Sequence, residues 1–171
     1  MFTPAYKKLN LKDKFFSNKD KSLIIDQLKQ QRFLQIEEQL RLYSKETIDL
    51  FLSEVGGEIL KWSIVYAPNA DALAFLVSQK QKIDLSKVLN DYALKLFLLY
   101  ISAEERLKHY DSIRETVMEK FKLLLDLDFH HVSKYMNEES NRQYITEDTY
   151  RDFNALLVQK QSSYNQQTLR V

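Results

Sequence analysis

Along this chain the apolar residues recur at intervals of three and four, with glutamine, lysine and glutamate between them. That is the period of helices with one buried face. Over residues 22–43, Ile24, Leu28, Phe33, Ile36 and Leu40 predict one long helix, or two short ones broken near Gln30 and Gln31. Ser44 is placed to cap the next, whose apolar side is Ile48, Phe51, Leu52 and Val55. Gly56 and Gly57 suit its end, where the left-handed conformation favours glycine. Residues 58–67 are apolar almost all round, as a buried central helix is, with a competing strand preference over 63–66.

Pro68 interrupts the pattern, and Asn69 with Asp71 opens a helix whose inward residues are Leu73, Leu76 and Val77. Ser86 is placed to cap another, in which Val88, Leu89, Tyr92, Leu96, Leu99 and Tyr100 repeat at helical spacing. Ser102 with Glu105, and Ser112 with Glu115, read as two capping boxes. They predict a short helix ending near Tyr110, then an amphipathic one with Ile113, Val117, Phe121, Leu124 and Leu125 on one face. Val132, Tyr135 and Met136 suggest a further short helix. Thr146 caps the last, with Glu147 and Asp148 in its first turn and Tyr150, Phe153, Leu156 and Leu157 facing inward. Eight or nine helices on short loops predict an all-α fold, built as an irregular array of stacked hairpins or as another short solenoid or bundle.

Composition removes several function classes. The 171 residues carry 25 basic and 24 acidic side chains, so no general electrostatic drive toward nucleic acid or anionic membrane exists. No apolar run approaches the roughly 20 residues of a membrane-spanning helix. The absence of cysteine excludes disulfides, thiolate metal sites and cysteine nucleophiles. With only two glycines, and those adjacent, neither a phosphate-cradling loop nor a dinucleotide fingerprint can be built. Residues 1–21 hold six lysines and the aromatics Phe2, Tyr6, Phe15 and Phe16, a lysine-coated arm without the apolar core of a secretory signal. A single helical domain is expected over 22–160, followed by a polar tail at 161–171.

Two stretches align at an offset of 34 residues: 56–65, GGEILKWSIV, and 90–99, NDYALKLFLL. Each precedes a second amphipathic segment and then a hydrophobic–acidic turn, at Lys82 to Leu85 and Leu125 to Phe129. A turn, short helix, longer helix and turn at this period resembles a degenerate ankyrin-type array over about residues 44–137. The family's Thr-Pro-Leu-His-x-Ala pattern survives only at Leu60 and Leu94. Glu58 and Ile59, then Tyr92 and Ala93, replace its threonine and proline; Lys61 and Lys95 replace its histidine; Ser63 and Phe97 replace its alanine. A bulky Phe97 works against the usual close stacking, and the second unit carries an insertion around 102–111. The resemblance implies helical caps at 22–43 and 146–160, a concave face on the outer side of the first helices, and a protein as partner.

Lys61, Tyr66, Tyr92 and Lys95 lie on or beside those first helices, and tyrosine combines apolar area with a polar handle at contact hot spots. They are the candidate partner-binding residues of a non-enzymatic interaction module that needs no cofactor. Lysine outnumbers arginine 18 to 7, and Asn, Ile, Tyr and Phe are plentiful, as in AT-rich genomes. Together with the polar tail and the missing signal pattern, this points to a bacterial effector or its regulator. Its expected location is cytoplasmic, or a host cytoplasm reached without a signal peptide. The alternative is a small metal-dependent hydrolase. Asp126, Asp128, His130 and His131 form the one cluster with metal-ligand character, Asp126 and His130 being four apart on a continuous helix.

Overall fold

The computed structural model describes residue 26, residues 57, 60, 61, 63–65, 67 and 69–82, and residues 85–170. The arm at 1–21, the segment 22–43 apart from residue 26, the helix capped by Ser44, Gly56 and Tyr66 lie outside them. Among the described residues the fold is all-α, with no strand.

Helical residues 57, 60, 61 and 63–65 lead in. There follow α1 (Asp71–Ser78), a 3₁₀ turn (Lys80–Lys82), α2 (Leu85–Val88), α3 (Asp91–Arg106), α4 (Tyr110–Leu127), α5 (Phe129–Asn137), α6 (Glu139–Arg142) and α7 (Glu147–Thr168). Side-chain oxygens accept backbone N–H bonds at the starts of α1, α3, α5 and α7, whereas α4 has no side-chain cap. The Asp71 N–H donates to Asn69 Oδ1 at 3.1 Å, the Ala93 N–H to Asn90 Oδ1 at 3.0 Å, and the His131 N–H to Asp128 Oδ1 at 3.1 Å. Thr146 caps α7, accepting from the Thr149 N–H at 3.4 Å.

Three helix boundaries differ from expectation. Ser86 lies inside the short α2, and α3 begins at the Asn90 cap instead. Ser102 is interior to α3, because Leu94, Phe97, Leu98 and Ile101 carry its buried face straight through that position. Ser112 lies in the first turn of α4, its hydroxyl donating to the His109 carbonyl at 2.7 Å. The chain reverses between α3 and α4 through a Schellman turn. The His109 N–H donates to Glu104 O at 2.9 Å and the Lys108 N–H to Glu105 O at 3.1 Å. Lys108 holds the left-handed position with φ 58°, a place that usually favours glycine. Gly57, expected to end a helix that way, is helical and has no positive φ.

The central element is α4, which packs on α1, α3, α5 and α7. Val117, Phe121, Leu124 and Leu125 supply its core face. Phe153 of α7 lies between two rings, 4.2 Å from Phe121 and 6.1 Å from Phe97, nearly parallel to both. All three are buried. Beyond Lys160 the helix continues through the segment expected as a tail. Its Ser162, Ser163 and Thr168 hydroxyls donate to carbonyls four residues back, and Tyr164 lies 5.1 Å from the Phe129 ring.

Among the described residues one cation sits in this interior. Lys120 is 2% exposed, between Val117 and Phe121 on the core face of α4, and its ammonium donates to the Ala67 carbonyl at 2.8 Å. Burial disfavours the charged form and pushes its pKa down from 10.5 to about 8. The folded chain therefore releases this proton while the unfolded chain still holds it, so stability rises as pH climbs from about 8 toward 10.5 and is flat below 8. Tyr135, pushed up to about 12 mainly by burial, acts in the opposite sense above pH 10. Urea unfolding of the wild type and Lys120→Met between pH 7 and 9.5 is expected to show the rise only in the wild type, by no more than about 3 kcal/mol.

Candidate functional site

The outer side of α3 carries the described part of the candidate contact face. A helix turns about 100° per residue, so Tyr92, Leu96, Leu99 and Ala103 fall within an arc of about 60°, opposite Ile101. Ala93, Leu94, Phe97, Leu98 and Ile101 are buried, while Tyr92 is 62% exposed and Leu99 36%. The face that sequence spacing singled out through Tyr92, Leu96 and Leu99 is thus the outward one. The core takes the opposite face, because Phe97 must meet Phe153.

Polar groups frame the stripe. Lys95 is exposed and leans toward the loop before α7, its ammonium 6.0 Å from the centre of the Tyr144 ring, at the outer limit of a cation–π contact. Asp91, in the first turn of α3, holds His131 of α5 through Oδ1 and Nε2 at 2.8 Å. Tyr135 lies under this corner, its phenol raised by burial first and then by the charges of Asp91, Tyr144 and Glu138. Lys61 is half-buried on the leading helical residues, and Tyr66 lies outside the described ones.

The four residues of the alternative cluster each take a different partner. Asp126 pairs with Lys160 of α7, and its carbonyl accepts from Lys80 at 3.0 Å. Asp128 caps α5, His131 pairs with Asp91, and His130 is exposed with its ring edge against Phe129. The continuous helix that would align them is broken at Asp128, which is extended at φ −152° and ψ 90°. Among the described residues no group of three His, Asp or Glu side chains is placed to hold a metal ion.

A polar groove of about 660 Å³ lies where α3, α4 and α7 meet, lined by Glu105, Lys108, Tyr110, Arg114, Thr146 and Asp152 among others. Sequence spacing assigned Glu105 to a capping box at Ser102. Its carboxylate instead receives the Thr146 N–H at 3.2 Å, the Thr149 hydroxyl at 2.9 Å and the Thr146 hydroxyl. It thereby places a negative charge at the N-terminus of the 22-residue α7. Arg114 binds Asp152 through Nε at 3.0 Å and an η-nitrogen at 2.8 Å. These groups join helix ends. Both hydroxyl–carboxylate contacts here, from Thr146 and Thr149 to Glu105, are committed to holding the start of α7, and Thr149 is buried.

Compared with protein-family models, with curated proteins and with solved structures, the chain gives no match. Among the described residues no helix is long and apolar enough to cross a membrane.

The Glu105 bridge makes a measurable contribution. Glu105→Ala removes the carboxylate acceptor of the buried Thr149 hydroxyl, leaving it the Thr146 hydroxyl at 3.2 Å, and is expected to cost about 1–3 kcal/mol in denaturant unfolding. Glu105→Gln, which keeps the acceptor oxygen, is expected to cost less than half of that.

Proposed function

We propose that this chain is a non-enzymatic protein-interaction module whose contact face is the outer side of α3, centred on Tyr92 and Lys95. The observation that carries the reading is the exposure of Tyr92 at one end of an apolar stripe, on a helix whose opposite face is fully engaged in the core. A helix bearing apolar residues on both sides is ordinarily buried on both. Tyrosine adds a large amphipathic surface at low entropic cost, the property that concentrates binding energy at interface hot spots. Lys95 and the Asp91–His131 pair supply a polar rim beside it.

The test is affinity capture from bacterial and eukaryotic lysates, comparing the wild type with Tyr92→Ala/Lys95→Glu. Both positions are exposed, so the variant is expected to keep its helical circular dichroism. The reading predicts a stoichiometric protein retained by the wild type and reduced at least tenfold by the folded variant. Equal capture by both chains, or capture by neither, contradicts it.

A further inference from the structure

The outer stripe of α3 has a spacing of its own. Tyr92, Leu96, Leu99 and Ala103 stand four, three and four residues apart, the alternation that lets two helices pack along a shared seam. Leu96 is half-buried and the other three are exposed. No other described element shows such a stripe outside the core: Val158, Tyr164 and Leu169 on α7 and its end do not share a line at this spacing.

We propose that the outer face of α3 pairs with the same face of a second copy of this chain, the two helices running antiparallel. This rests on the reading of α3 as the contact face and names the partner. Two features favour a second copy over an unrelated helix. In the antiparallel register Tyr92 of each chain meets the small Ala103 of the other, and Leu96 meets Leu99, so a bulky side chain always faces a complementary one. The charges agree as well. Asp91 and Arg106 lie at opposite ends of α3 on the same flank of the stripe, and two-fold pairing brings each Asp91 beside the Arg106 of the second copy. Both are available: Asp91 is 77% exposed with only Oδ1 engaged by His131, and Arg106 is exposed with one bond, to the Ser102 hydroxyl at 3.1 Å. A parallel pair would instead leave each Asp91 and the Arg106 of the second copy at opposite ends of the seam, roughly 22 Å apart along the axis, with no such pairing.

The strength of the pairing is limited by length. Sixteen residues make a helix about 24 Å long, too short for the roughly 800 Å² per partner of a standard interface. The dimer is therefore weak, and its association is to be read between about 0.01 and 1 mM.

Sedimentation equilibrium over that range on the full chain is the test, with every variant checked by circular dichroism. The wild type is expected to climb from monomer toward twice the monomer mass. Leu99→Lys, which sets a charge in the middle of the seam, is expected to remain monomeric. Arg106→Asp is expected to weaken association about five- to tenfold, and Asp91→Arg/Arg106→Asp to restore it to within about threefold of the wild type. A wild type that stays monomeric to 1 mM overturns the proposal. So does association that Leu99→Lys leaves intact, or a double swap that fails to restore it. A monomeric wild type that still captures a partner lost by Tyr92→Ala/Lys95→Glu defeats the pairing alone. A dimer without any such capture defeats the reading of a different protein as partner and leaves the pairing standing.

Discussion

Phe153 reaches from α7 into the space between Phe121 of α4 and Phe97 of α3, and that wedge sets the rotation of three helices at once. An aromatic side chain of this size gains on the order of 2–3 kcal/mol from burial alone, and stacked rings add to it. With Phe97 directed inward, Leu94, Leu98 and Ile101 follow it into the core. Tyr92, Leu96, Leu99 and Ala103 are then forced to the far side of α3. The outward apolar stripe is thus a consequence of interior packing, and the proposed contact face inherits its rigidity from the same contact.

Polar groups keep the wedge in register. Glu105 holds the start of α7 through Thr146 and Thr149, Arg114 holds Asp152 one turn further on, and Lys160 meets Asp126 near the last buried turn. The exposed pairs contribute little each, but together with Glu105 they clamp α7 at three heights, once to α3 and twice to α4. Lys120 joins the non-helical backbone at Ala67, before α1, to this frame through the Ala67 carbonyl, at the cost of burying a charge. The strained backbone at Lys108 belongs to the same corner, where α3 must turn sharply for Glu105 to reach Thr146.

Much of this was legible in the residues. Helical period alone identified α4 and α7 and their inward residues, and Thr146 was a sound start signal because a polar break precedes it. The two false capping boxes show why a four-residue pattern is weak inside a continuing apolar repeat. Ser102 has helix on both sides, and Glu105 has a better acceptor role across the fold. Periodicity could not choose between the two faces of α3, since both are apolar at helical spacing; only the tertiary contact of Phe97 decides. Lys120 did leave a trace, as a lysine in the same face as Val117, Phe121 and Leu124. Tyr92 and Lys95 are exposed, although Tyr92 reads in the sequence as part of an apolar repeat, and the line from Asp126 to His131 assumed an unbroken helix that Asp128 ends.

Which side of α3 faces water decides both the core packing and the proposed contact face. The chain contains no cysteine, so single cysteines introduced in turn along 92–103 report accessibility without background. Maleimide labelling of these variants at low micromolar concentration tests the orientation directly. Rapid modification is expected at positions 92, 95, 99 and 103, and protection of at least a hundredfold at 94, 97, 98 and 101. Protection at 92 and 99 together with rapid labelling at 97 and 101 would contradict this orientation.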